Sequence, residues 1–114
     1  MTLMTSYVSS GRAPDWSLIP DYMIGGLRRY IERGIPPGHF LSAVLSNDLG
    51  EAVRRADDVN KRKLADYVVF LENYAPSVCW GSPTKLDAWI AQRGFDGADT
   101  IYRGYARPQE DDYE

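Results

Sequence analysis

A single cysteine and a single histidine are all that the chain offers of the residue types most used as soft metal ligands, thiol nucleophiles and imidazole bases. One cysteine cannot close an intrachain disulfide, which fits a reducing compartment such as the cytoplasm. No apolar run approaches the ~20 residues of a membrane span. The N-terminus shows no basic region followed by an apolar one, so no signal peptide is read. Positive charge is not in excess. The net charge of −3 argues against a general nucleic-acid binder. No internal repeat is visible, and no glycine-rich phosphate cradle accompanies the basic residues.

What is present describes a small globular protein. Apolar residues at 44% and charged residues at 25% are the proportions of a folded chain, and 114 residues make one domain with one modest core. Residues 20–93 hold 10 Lys+Arg and 9 Asp+Glu, a net of +1, whereas the two flanks hold 3 and 7, a net of −4. The acidity therefore lies in the flanks, mostly in Glu110, Asp111, Asp112 and Glu114.

Three regions follow: a flexible arm over 1–16, a helical domain over 17–94, and an acidic, Tyr-rich tail over 95–114. The arm is rich in Ser, Thr, Gly and Pro, with Trp16, Leu18 and Ile19 placed to tuck onto the core. Pro20 suits the first turn of a helix. Ile24, Leu27 and Ile31 mark that helix's inner face, while Gly25 and Gly26 each cost it roughly 1 kcal/mol relative to Ala. Paired glycines of this kind more often permit close helix contact than create a site. Gly34 is the left-handed cap, followed by Ile35 as its hydrophobic partner. Pro36-Pro37-Gly38 forms a stiff turn.

A second helix starts near His39, with Phe40, Leu41, Val44 and Leu45 buried. Continued unbroken, it would place Asp48 on an apolar face. A break at Asn47 instead makes Asp48 an N-cap, with Glu51 completing a capping box. Asp57 and Asp58 are the next caps. A long helix then reaches about Tyr74, with Leu64, Val68, Leu71 and Ala75 as its stripe and Tyr67 and Phe70 beside it. Pro76 ends it. Ser82 and Pro83 open the last helix as N-cap and first residue. Leu86, Trp89 and Ile90 face inward, and Gly94 closes it. The best strand candidate, residues 67–70, lies inside a better helical pattern. The expected fold is all-α, a compact bundle of four to five short helices.

Each candidate for chemistry has a structural reading beside it. His39 lacks ligands at metal spacing and reads as structural or surface. Cys79 lacks a signature that pairs it with a base and reads as a buried thiol. Asp48, Glu51, Asp57 and Asp58 do not follow a calcium-loop pattern and read as helix-end residues. Trp80 reads either as an exposed anchor for a partner or as a core residue packed with Trp89. Arg28, Arg29, Arg54, Arg55 and Arg62 would form an anion-binding patch if the helices gathered them. The alternative is solvated helix faces, with Arg55 pairing Glu51. Tyr102, Tyr105 and Tyr113 sit among acids in a tail read as solubilising.

The segments IPDYMIGGLRRYIERGIPPGHFLSAVLSNDLGEAVRRADDVN and LADYVVFLENYAPSVCWGSPTKLDAWI resemble a family of small uncharacterised proteins of tailed bacteriophages and prophages. The resemblance spans residues 19–90. Its most specific parts are GIPPGHFLSAVLSNDL, RADDVN and CWGSP. It implies a setting, not a mechanism: an accessory protein, for example a counter-defence inhibitor, that binds a host bacterial protein without catalysis in the cytoplasm. A helical chain of 114 residues with several aromatic residues is also compatible with a homodimer. The alternatives are sequestration of a nucleotide signal, held by the basic residues and stacked on Trp80, Tyr30 or Tyr67, and a small DNA-binding regulator. No cofactor, metal or membrane is expected, and an enzyme is the least supported class.

Overall fold

Helix ends decide this fold, because most of its helices are too short to hold together on propensity alone. The computed structural model describes residues 13–97. They form seven α-helices, with no strand among the described residues: α1 Asp21–Arg33, α2 His39–Leu45, α3 Leu49–Arg55, α4 Asp58–Arg62, α5 Leu64–Tyr74, α6 Pro83–Ala91 and α7 Gly94–Gly97. Short 3-10 turns at Trp16–Leu18 and Ser77–Cys79 pack on α5 and α6 respectively. The all-α bundle is thus as expected, with more and shorter helices. Residues 1–12 of the expected arm and most of the tail, with Tyr102, Tyr105 and Tyr113, lie outside the described residues.

Local sequence explains most of the ends. Pro20 stands one place before α1, at its N-cap. Gly34 caps α1 at φ 68°, its N–H donating to the Tyr30 carbonyl. Asn47 turns left-handed at φ 64° and ends α2. The N–H of Asp48 returns to the Ala43 carbonyl at 2.9 Å and that of Asn47 to Val44 at 3.0 Å, a Schellman closure. The Asp48 side chain then accepts from the Glu51 N–H at 3.2 Å. Ser82 Oγ likewise accepts from the Lys85 N–H at 3.1 Å.

Several expectations need correction. The capping box is half formed: the Asp48 N–H is already spent on Ala43, and the Glu51 carboxylate turns to Arg54 and Arg55 instead. Asp57, not Asp58, caps α4, accepting from the Asn60 N–H at 2.8 Å. Asp58 is the first helical residue, exposed, where a carboxylate still suits the positive end of the helix. The long helix expected to reach Tyr74 breaks at Lys63. The buried face of α5 is Tyr67, Phe70, Leu71 and Tyr74, while Val68 is 45% exposed. Gly94 does not close α6. That helix ends at Ala91, and Gly94 opens α7 after Arg93 has turned left-handed.

The core joins Leu27, Tyr30 and Ile31 of α1 to the buried faces of α2 and α5, with Trp89 and Phe95 closing one end. Trp89 is the largest fully buried side chain. Its indole N–H is shared by the carbonyls of Tyr30 (3.1 Å) and Ile31 (3.0 Å), so α6 satisfies the open end of α1. The Trp89 ring meets Phe95 edge-on at 5.4 Å, which brings the first residues of the expected tail into the core. The Tyr30 hydroxyl donates to the Cys79 carbonyl at 2.7 Å. Trp16, Leu18 and Ile19 do tuck in, with Trp16 4.6 Å from Phe70.

Close backbone contact joins the end of α1 to the start of α7, and Gly97 also lies tightly against the Gln92 carbonyl. A Cβ on Gly34 would lie 2.7 Å from Arg93 Cα and from the Gly94 nitrogen, and one on Gly94 would lie 2.6 Å from the Gly34 nitrogen. The end of α1 and the start of α7 therefore pack main chain to main chain. The pair Gly25–Gly26 has no such role: its nearest neighbours are side chains, Arg29 and Leu41.

Candidate functional site

The turn between α2 and α3 places an apolar face on the surface. The Asn47–Asp48 closure sets the direction of α3, whose residues Leu49, Ala52 and Val53 share one side. Ala52 is buried, but Leu49 is 69% exposed and Val53 is 40% exposed. The Gly81 N–H donates to the Leu45 carbonyl at 2.7 Å, pinning the 80–81 loop to the last turn of α2. That bond brings Trp80 beside Leu49. Trp80 itself is partly buried against the core. Val68 of α5 completes the surround of a shallow recess of about 50 Å³ with an apolar lining. By the measure on which a single water needs ~10–15 Å³, the recess has room for the tip of a side chain.

The charges near this face are paired, with a net +1 left on the Glu51–Arg54–Arg55 group. Glu51 takes Arg55 at 2.6 Å and Arg54 at 2.9 Å, and the two guanidinium groups hold its carboxyl below the usual range. Lys63 pairs with Asp66 at 2.8 Å. These side chains are solvent-facing, so the pairs add little stability. Their effect is to leave Leu49, Val68 and Trp80 in a surround of satisfied polar groups.

The expected basic patch is divided. Arg54 and Arg55 share Glu51 on α3. Arg28 lies 5.7 Å from the Trp16 ring centre and 3.9 Å from the buried Glu32 carboxylate. Arg29 lines a different groove, on α1, and Arg62 is exposed at the end of α4. Of the three aromatic residues considered for stacking a base, Tyr30 and Tyr67 are fully buried and unavailable, and Trp80 alone reaches the surface.

The remaining candidates serve the fold. His39 is exposed at the start of α2, whereas Cys79 is fully buried, so no imidazole activates the thiol. Burial pushes the Cys79 thiol pKa well up, and nearby Lys85 offsets little of that. Among the described residues no group of three or more His, Cys, Asp or Glu side chains could hold a metal ion. None of the described helices is long and apolar enough to cross a membrane.

One polar network escaped the sequence reading. The Tyr22 hydroxyl donates to Asp57 at 2.5 Å, Asp57 accepts from the Asn60 N–H, and the Asn60 side-chain oxygen accepts from the buried Tyr67 hydroxyl at 2.6 Å. This chain of bonds ties α1, α4 and α5 together. The Tyr22 hydrogen bond, followed by the Asn60 N–H, lowers the Asp57 pKa, and burial raises that of Tyr67. Only the buried Asn at the centre of a Tyr–Asp–Asn–Tyr set could have signalled it, and its partners are up to 35 residues apart.

Compared with known proteins, the chain matches no family model, no curated protein and no solved structure.

Proposed function

We propose that the protein is a non-enzymatic binding protein, a small accessory factor of phage or prophage type that docks on a host protein in the bacterial cytoplasm. The observation that carries this reading is the exposed Leu49 beside Val68 and Trp80, around a recess sized for one side-chain tip. Tryptophan is enriched at interface hot spots, and the exposed Leu49 and Val68 extend the apolar surface around Trp80. Inhibition of a bacterial immune complex is the specific form that the sequence resemblance suggests.

Nucleotide capture has weaker support, since Tyr30 and Tyr67 are buried and Arg54 and Arg55 are committed to Glu51. The test is capture from lysate of a bacterial host on immobilised protein, with Leu49→Asp as the comparison. Leu49 is exposed enough for the substitution to leave the fold intact. The expected result is a host protein retained by the wild type and lost by the variant. Equal retention by both, or none by the wild type, would overturn the reading. Light scattering of the free protein reads the competing outcome, self-association through the same face.

A further inference from the structure

A second concavity, independent of the Leu49 face, lies between α1 and the turn at residues 36–38. It measures about 260 Å³, and Tyr22, Gly26, Arg29, Pro37 and Leu41 contribute to its walls. Tyr22, Gly26 and Arg29 follow one another at spacings of 4 and 3, along a single face of α1. Tyr22 and Arg29 are thus roughly 10 Å apart along the helix axis, at 1.5 Å per residue. Leu41 and Met23 supply an apolar floor, and the two prolines supply a rigid far wall.

Two features point to a ligand. Arg29 is half-buried and makes no ion pair among the described residues, whereas Arg28, Arg54 and Arg55 each lie against a carboxylate. The helix also carries glycine where helices disfavour it, with no packing need. A Cβ on Gly25 would meet the Arg29 guanidinium at 3.1 Å, so its absence gives that group room. A Cβ on Gly26 would meet only Leu41 Cδ1, at an ordinary 3.7 Å, so alanine would fit, at the expense of the groove. Gly25 seats the cation and Gly26 keeps the groove open.

We propose that this groove binds a small organic anion, its carboxylate or phosphate on Arg29 and an apolar body of about one ring against Met23, Leu41 and the Tyr22 ring. The volume is just below the ~300–1,000 Å³ of drug-sized pockets, which favours one ring and a head group over a whole nucleotide. Asp57 carries negative charge at the Tyr22 hydroxyl, whereas the Arg29 guanidinium lies over Gly25. That negative charge directs the anionic head toward the Arg29 end.

The test is a titration of 15N-labelled protein with 3-phenylpropionate, phenyl phosphate and phenethylamine, followed by amide chemical shifts. Saturable shifts are expected at residues 22–29 and 38 with at least one of the two anions, the tighter one identifying the head group. Phenethylamine should leave those amides unmoved. Arg29→Met should weaken the anion about tenfold, the loss of a charge-assisted hydrogen bond. Gly26→Ala should raise Tm by about 4 °C through helix propensity while weakening the anion, a combination that a purely structural glycine would not give. Saturation by neither anion, equal shifts with the amine, or wild-type affinity in Arg29→Met would overturn the proposal.

Discussion

Replacing Gly34 tests the packing on which the end of the bundle depends. Two separate penalties apply there. At φ 68° an L-residue with a Cβ is disfavoured by about 1–2 kcal/mol. Its Cβ would also stand 2.7 Å from Arg93 Cα and the Gly94 nitrogen, both main-chain atoms that cannot swing aside. Relieving that overlap means parting α7 from α1, an overpacking cost of about 1–3 kcal/mol. Gly34→Ala should therefore lose about 2–5 kcal/mol, a large part of a small domain's ~5–15 kcal/mol. Asparagine accepts left-handed backbone far better than alanine, so Gly34→Asn should recover the first penalty and keep the second. Urea unfolding, followed by tryptophan fluorescence and far-UV circular dichroism, reads both. With m near 1–2 kcal/mol/M, the alanine midpoint should fall by roughly 2 M. Gly38, at φ −71° with no atom within 4 Å of an added Cβ, is the control and should change by under ~1 kcal/mol on Gly38→Ala. Full recovery in Gly34→Asn would refute the reasoning, because the two backbones could not then be in contact.

Three further outcomes are expected. Tyr67→Phe strands the buried Asn60 oxygen, now bonded at 2.6 Å, and should cost about 1–3 kcal/mol in urea unfolding; a neutral result would mean that water replaces the hydroxyl. Cys79, fully buried with a raised pKa, should resist an aromatic disulfide reagent in the native state and react at once in denaturant. The carboxyl pKa values of Asp57 and Glu51 are depressed in the folded chain, by the Tyr22 hydrogen bond and by the Arg55 and Arg54 hydrogen bonds. Their stabilisation is therefore present above the ordinary carboxylate range near pH 4 and is lost as pH falls through the folded values. Melting curves from pH 6 down to pH 2 should show Asp57→Asn with a shallower acid decline than the wild type, and parallel declines would contradict the assignment.

The helix ends were legible in the sequence because capping is local. Gly34, Asp48 and Ser82 each complete a bond pattern within a few residues of themselves. The break at Lys63 was not legible, since residues 58–74 contain no glycine or proline to mark it. It accompanies long-range bonds: Asp57 is held from α1 by Tyr22 and Asn60 from α5 by Tyr67. The face of α5 was misread because the helix is apolar on more than one side. Val68 continued the periodic stripe, yet the larger rings of Tyr67, Phe70 and Tyr74 occupy the core. Four residues are too few to show a period, so α7 was invisible until Phe95 met Trp89. The site was the least legible part. Exposure of Leu49 depends on how the Asn47 turn aims α3, and the convergence of Trp80 and Val68 depends on the Gly81–Leu45 bond, neither of which the sequence pattern displays.

The docking face is tested most directly by a photo-crosslinking amino acid placed at Leu49 in the protein produced inside bacterial host cells, with the same residue at exposed Lys61 as the comparison. Irradiation should yield one discrete adduct with a host protein from position 49 and none from position 61. No adduct at 49, or the same adducts from both positions, would contradict the assignment of this surface.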